Sequence, residues 1–313
     1  MTAIEGVLVL DKPAGPTSHD IVEKVRRFAR RQRVGHTGTL DPMATGVLPL
    51  CVGRATRLAR FLTSSRKQYA GTLLLGVSTD TYDAQGEIRE RRPADAMQLA
   101  DVRGAATRFL GDLMQAPPAY SARKIQGQPM HRLARAGHDV PLKPAPVTVH
   151  RFEILEMNGD VVRFEAETSP GTYIRSLAHD LGEMLGCGAH LTSLRRLASG
   201  SFGIDSAHTL DEVIREGHAG TLAELMIPLD RIDLGLPTIM VNRDGATAMR
   251  HGRVLSARDI ALSDSNPDGC ASLAGGTGSV RVEDEGGRLL GVAVGGVSAA
   301  DTWLLRPDVV LSA

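Results

Sequence analysis

The sequence predicts a mixed α+β fold followed by a small β-module. Apolar strand runs and amphipathic helical stripes interleave as far as Pro228, after which only short alternating runs separated by glycine-rich stretches remain. No repeat at a solenoid period runs through the chain. With 313 residues, 42% of them apolar and 23% charged, there is material for one large and one small domain and no composition typical of disorder.

In chain order, Gly6–Leu10 reads as a buried strand, broken by the turn chemistry of Asp11-Lys12-Pro13-Ala14-Gly15-Pro16. A helix follows, with Thr17 or Ser18 as N-cap, Asp20 and Glu23 at its positive end, and Ile21, Val25 and Phe28 on one stripe. The stretch Gly35–Pro42 has no hydrophobic period and reads as a loop. Strands are predicted at Val47–Val52 and Tyr69–Val77. Residues 116–146 are proline-rich and poor in apolar period, which predicts an excursion from the core with a short helix at Met130–Ala136. Strand pattern returns at Val147–Leu155. It returns again where Val162, Phe164, Ala166 and Thr168 alternate with Arg163, Glu165 and Glu167. After Ser169-Pro170-Gly171-Thr172, an amphipathic helix carries Ile174, Leu177, Ala178, Leu181, Met184 and Leu185. The β-module takes short strands at Val280–Val282, Leu289–Val294 and Thr302–Leu305, with a mobile loop expected over Ser263–Gly278. Two units are expected, 1–232 and 237–313.

Formal net charge is zero but unevenly spread. Residues 21–70 hold eleven Lys or Arg against Glu23 and Asp41, a net of +9, while residues 201–236 hold two Arg against seven acids. Such segregation suits either an ordinary solvated helix face or a polyanion-binding surface. No apolar run is long enough to cross a bilayer, the first twenty residues lack a signal peptide's pattern, and three scattered cysteines make no disulfide framework. A soluble, cytoplasmic, monomeric protein is expected. The histidines and cysteines form no metal-ligand spacing, and P-loop, calcium-loop and serine-hydrolase signatures are missing. No metal and no cofactor is expected.

Chemistry is left to the loop around Asp41. An aspartate before a proline in a glycine-lined turn either caps the turn or presents a carboxylate as nucleophile or base, which needs a cation beside it. The sequence words around it go further. Gly6-Val-Leu-Val-Leu-Asp-Lys-Pro13 and Arg33-Val-Gly-His-Thr-Gly-Thr-Leu-Asp-Pro-Met-Ala-Thr-Gly46 come first. Lys67-Gln-Tyr69, Gly171-Thr-Tyr-Ile-Arg175 and Gly188-Ala-His-Leu-Thr-Ser-Leu-Arg-Arg196 follow in order. Together they resemble the TruB family of tRNA pseudouridine synthases over about residues 5–205. The tail, with Ala248-Met-Arg-His-Gly-Arg253, is similar to a PUA-type RNA-binding domain.

The resemblance implies the pseudouridine synthase fold, a mixed and largely antiparallel sheet with flanking helices. It also implies conversion of uridine 55 in the tRNA T-stem-loop to pseudouridine without a cofactor. Asp41 is implied as nucleophile, Arg175 as its guanidinium partner, and Tyr69 as base contact and proton-transfer candidate. His36, Tyr173 and Leu194 are implied as pocket walls beside the flipped base. Lys12 reads as structural, in a strand-ending Lys-Pro turn near the active-site loop, and is counted with the substrate-facing set; Arg123, Lys124, His131, Arg132 and Arg135 in the excursion are placed to neutralise phosphates. In the family the excursion acts as a thumb over the T-loop. Asp80 and Asp83 fall in a familiar Thr-Asp-Thr-x-Asp word, with structural and substrate roles both open. Thr39 departs from the alanine usual after Gly38, a small change beside the loop. Two other readings stand: a tRNA-folding chaperone or non-catalytic RNA binder, and a guide-RNA relative, against which the lack of lysine-rich tails argues.

Overall fold

A computed structural model of the chain describes residues 4–30, 32–120, 143–261, 278–297 and 303–311, with the backbone of the strand pair Lys124–Ile125 and Gln128–Pro129. The helix expected at Met130–Ala136 lies outside the described residues, as does the loop at Ser263–Gly278 apart from Gly278.

An eleven-stranded sheet forms the frame. Its main path runs His208–Thr209, Gly6–Lys12, Thr45–Val52, Ala189–Ser199, Lys67–Leu75, Val161–Thr168, Ala145–Asn158, Gly111–Gln115. Neighbours are antiparallel except Gly6–Lys12 with His208–Thr209 and Thr45–Val52 with Ala189–Ser199. The expected mixed, largely antiparallel sheet with flanking helices is therefore what forms.

The central strands read as unbroken apolar runs because both their faces are covered. Leu8, Leu10, Leu48 and Leu50 pack toward the helices, among Ile21, Val25, Leu177 and Leu181. Val7, Val9, Val47 and Cys51 pack on the opposite side. The first helix, Ser18–Phe28, starts from a capping box in which Thr17 and Asp20 exchange hydrogen bonds.

Three of the differences from the sequence reading have a plain local reason. The first strand continues through Lys12, because Asp11 and Lys12 keep register against Val47 and Gly46. Val34–His36 is a short strand on Thr45–Val52 and not loop, being too brief to show a period. The strand expected to Val77 stops at Leu75, where Gly76 turns at φ +82° and Val77–Thr79 pairs instead with Ile88–Arg91.

The C-terminal module is a four-stranded sheet, Thr238–Val241, Ser279–Asp284, Leu289–Val297 and Trp303–Val310. It is not all-β, since the helix Arg243–Arg250, capped by Asn242, packs on it through Ala246 and Met249. Eight residues containing Gly245 and Thr247 give little helical signal. Leu289, Val292, Val309 and Leu311 share one buried cluster with Val7, Val9 and Val47, so the module is docked on the large sheet.

This docking gives part of the basic segment 21–70 a third use, beside the solvated face and the polyanion-binding surface that its charge suits. Arg54 pairs with Glu5 and donates to the Leu311 carbonyl at 2.6 Å, Arg57 donates to Val310 at 2.7 Å, and Arg60 pairs with Asp308. These guanidiniums fasten the last strand to the large sheet. Charge segregation along the sequence partly reflects this internal use.

Candidate active site

Asp41 lies on the loop between the strands Val34–His36 and Thr45–Val52, and that loop is tied down by side chains. Ser18 Oγ accepts from the Leu40 amide at 2.9 Å and donates to its carbonyl at 3.1 Å, while Gly15 N–H donates to Pro42 O at 2.8 Å. Lys12 is fully buried, its ammonium donating to Pro13 O at 2.8 Å and Pro42 O at 3.2 Å. Burial brings Lys12 down to about 8, against the opposing pull of Asp41. Lys12 thus braces the loop and does not line the pocket, in keeping with its structural reading and not with its place among the substrate contacts. At the loop's end Gly46 takes φ +101°, and a Cβ there would meet the Arg196 carbonyl oxygen at 2.2 Å, so glycine is required.

Arg175, at the start of the helix Ile174–Leu185, reaches across to Asp41. Its Nη2 donates to Oδ1 at 3.1 Å, and Nε stands 2.9 Å from Oδ2. The guanidinium is 5% exposed and the carboxylate 34%, so the pair sits at the wall of the pocket with the carboxylate facing in. Arg175 is shared. Nη1 donates to Thr81 O at 2.9 Å and lies 3.3 Å from buried Asp83, and Nη2 also donates to Tyr120 O at 3.0 Å. Burial pushes the Asp41 carboxyl above its ordinary value; Arg175 pulls it back, Asp83 adds to the push and Lys12 to the pull. The net direction is upward, so Arg175 offsets burial only in part.

Opposite stands a floor of buried cations. Tyr69, 6% exposed, faces Arg196 directly across the strand pair Lys67–Leu75 and Ala189–Ser199. Arg196 is 1% exposed and donates to Val47 O at 2.7 Å and Gly38 O at 3.1 Å. Burial raises the Tyr69 phenol and the neighbouring Arg196 guanidinium opposes it, while burial lowers Arg196 itself. Lys67 donates to Thr63 O at 3.0 Å and Ser65 O at 2.9 Å, and burial with the nearby Arg196 brings it to about 8. Burial, with Arg196, also lowers His36, which keeps its imidazole neutral at neutral pH.

These groups line one cavity of about 420 Å³. It gathers Asp41, Arg175, Tyr69, His36, Tyr173 and Leu194, all named from the sequence, from four separate segments. Tyr173 is set by Gln115, whose side chain bonds both its amide, at 2.7 Å, and its carbonyl, at 3.0 Å. Arg123, His131, Arg132 and Arg135 lie outside the described residues, and of Lys124 only the backbone is described. Lys67 and Arg196 were missed as pocket residues although both stand in the quoted words. Strand alternation names them: Lys67 shares a face with Tyr69, and Arg196 with Leu194. Asp83, left open between two roles, is the second carboxylate on Arg175.

The chain has matches among known proteins. A family model for the TruB family pseudouridylate synthase N-terminal domain matches residues 26–174, and one for the tRNA pseudouridylate synthase B C-terminal domain matches 175–232. The tRNA pseudouridine synthase B of Solibacter usitatus is 45% identical over 250 residues, 80% of this chain and 85% of the relative. That of Stutzerimonas stutzeri is 40% identical over 292 residues, 92% of this chain and 91% of the relative. Among solved structures, an archaeal box H/ACA sRNP Nop10–Cbf5 complex matches with TM-score 0.71 and 26% identity over 98% of this chain and 86% of the other. The family models span the segments that build the pocket and the relatives cover most of the chain, and the chain belongs to the TruB family of pseudouridylate synthases.

Proposed function

We propose that this protein isomerises uridine 55 in the T-loop of tRNA to pseudouridine, with Asp41 as the nucleophile. The observation that carries the reading is the Asp41–Arg175 pair on the wall of a cavity that also holds Tyr69. A cavity of about 420 Å³ is in the range that encloses a small ligand group, here one nucleobase with its sugar. The relatives' names supply tRNA as the substrate class.

The isomerisation breaks the bond from the sugar C1′ to the base N1 and forms one from C1′ to C5. The C5 proton leaves and N1 ends protonated, so no atom is gained or lost overall and neither oxidant nor energy source is required. The target base leaves its stack to reach Asp41. Asp41 must be ionised to act, and Arg175 counters the burial that would protonate it. The Tyr69 hydroxyl is the candidate for proton transfer; burial favours its protonated form, and the Arg196 guanidinium offsets that burial in part. Lys67 and Arg196 make the floor attractive to a backbone phosphate. The residue 116–146 excursion and the 237–313 module, read as PUA-like, extend the RNA contact in this proposal.

A pure RNA-folding activity is the second reading. A buried guanidinium spent on orienting a carboxylate, which would repel phosphate, weighs against it. The test is Asp41→Asn assayed by tritium release on an unmodified tRNA transcript, with mass-label mapping of the altered uridine. Turnover should vanish while tRNA affinity stays within about twofold of wild type. Product formation within about tenfold of wild type would overturn the nucleophile assignment.

A further inference from the structure

The helix Ile174–Leu185 brings a second side chain to the turn that holds Arg175. His179 is one turn beyond Arg175, so both stand on one face of the helix. That face covers Thr81–Asp83 and grips each of the three residues. Arg175 takes the Thr81 carbonyl at 2.9 Å and the Asp83 carboxylate at 3.3 Å. Between them the Tyr82 and His179 rings stack face to face, centroids 3.8 Å apart and planes 7° from parallel.

Tyr82 holds φ at 63°; among the described residues Arg30 is the one other non-glycine residue at positive φ. A bulky side chain is strained in that region, where glycine is comfortable. Keeping an aromatic ring there points to a use for the ring. The remaining anchors of the turn face elsewhere. Leu191 N–H donates to Tyr82 O at 3.0 Å and Ala84 N–H to Leu191 O at 2.9 Å, fastening the turn to the strand Ala189–Ser199. Thr81 Oγ1 donates to Asp83 Oδ1 at 2.6 Å within the turn. The ring stack therefore joins turn to helix, across the gap that the Arg175 guanidinium spans.

We infer that the Tyr82–His179 stack positions Arg175: by fixing the spacing between the Asp83-bearing turn and the helix, it aims the guanidinium at Asp41. Both residues are positioning residues, and the inference rests on the reading of Asp41 as nucleophile. Asp180 and Glu183 of the helix and Arg92 after the strand Ile88–Arg91 are the charged groups around the stack. Burial lowers His179 and raises Tyr82, so the rings meet uncharged at neutral pH. Among the described residues His179 Nδ1 is buried with no hydrogen-bond partner, and the stack on Tyr82 is the ring contact that His179 makes.

The test compares Tyr82→Gly, Tyr82→Phe, His179→Ala and the Tyr82→Gly/His179→Ala double variant in single-turnover pseudouridine formation between about pH 5 and 9. tRNA affinity and the thermal midpoint are measured alongside. Glycine relieves the backbone and removes the ring, so Tyr82→Gly should keep or raise the midpoint and keep tRNA affinity, yet lose about tenfold in rate. Its acidic limb should move to higher pH, as Asp41 loses part of Arg175's pull. Tyr82→Phe should stay within about twofold of wild type, and the double variant within about twofold of the slower single one. His179→Ala, at a helical site that tolerates alanine, carries the same expectation if the glycine variant does not fold. A wild-type rate in both ring-removing variants overturns the inference, as does a slowed rate with an unmoved acidic limb, which a merely structural contact would give. Asp41→Asn in the same assay separates the two proposals. If it is active, the nucleophile reading fails; if it is inactive while Tyr82→Gly and His179→Ala both match wild type, only the stack's role fails.

Discussion

Replacing Lys67 with methionine tests the cationic floor through the pH dependence of stability. The ammonium is 6% exposed, and its two hydrogen-bond partners are neutral carbonyls. Burial, with Arg196 adding, lowers its pKa from 10.5 to about 8. The sign follows from linkage: the folded chain releases this proton more readily than the unfolded chain. Below about pH 8 both states are protonated and the folded protein bears the full cost of burying the charge. Between about 8 and 10.5 stability rises with pH, and above 10.5 the gain is complete. The span of about 2.5 pH units corresponds to about 3 kcal/mol. Methionine keeps the length and removes the titration. Urea unfolding of both proteins at half-unit steps should therefore give a difference, wild type minus variant, that is flat below about pH 7.5. It should then climb by about 3 kcal/mol toward pH 10.5. Lost hydrogen bonds and altered packing move that difference curve up or down without changing its shape. Lys12 titrates in both proteins and cancels. A difference that stays level across the range would refute the desolvated ammonium, and with it the charged floor at the cost we assign.

Arg175→Lys should recover only part of the activity lost in Arg175→Met, because a point charge cannot reproduce the fork that meets Asp41, Asp83 and Thr81 O. In kcat/KM against pH, the Met variant's acidic limb should move upward, and an unmoved limb would mean that Arg175 does not hold Asp41 ionised. Gly46→Ala should cost about 3 kcal/mol or more in urea unfolding, since its Cβ would lie 2.2 Å from a backbone oxygen at φ +101°. Arg54→Ala should lower stability by about 1–3 kcal/mol by stranding partly buried Glu5 and the Leu311 carbonyl. In filter binding against salt, Arg33→Gln, at an exposed position just before the strand Val34–His36, should flatten the slope of log affinity by about one. Arg60→Gln should leave that slope unchanged, its guanidinium being engaged with Asp308.

Much of the architecture was legible because its signals are local. The continuous apolar run at Gly6–Leu10 announced a strand covered on both faces, and the alternation from Val162 to Thr168 announced one covered on a single face. Thr17 and Asp20 marked a helix start by capping chemistry that needs only neighbours. Elements too short to repeat their period more than once or twice, such as Val34–His36 and the helix Arg243–Arg250, left no such trace. Register and turn geometry, not composition, ended the strand at Leu75.

The sequence by itself determined the order of those elements that carry a clear period, the words that carry the family resemblance, and the carboxylate and guanidinium that these words point to. It could not assign the arginines. Arg54, Arg57 and Arg60 look like any basic surface run until the last strand is seen accepting their hydrogen bonds some 250 residues later in the chain. Arg196 is told from its neighbour Arg195 by strand alternation, but only once the strand Ala189–Ser199 that carries both is placed. Arg196 is sealed beneath Tyr69, and Arg195 points to the opposite face and pairs with Asp11 at 2.7 Å. Where a charge is buried, what it faces and how far its pKa moves are set by pairs of groups remote in sequence. Only the packed sheet brings Lys12, Asp41, Tyr69, Arg175 and Arg196 within the few ångströms over which desolvation and Coulomb attraction act.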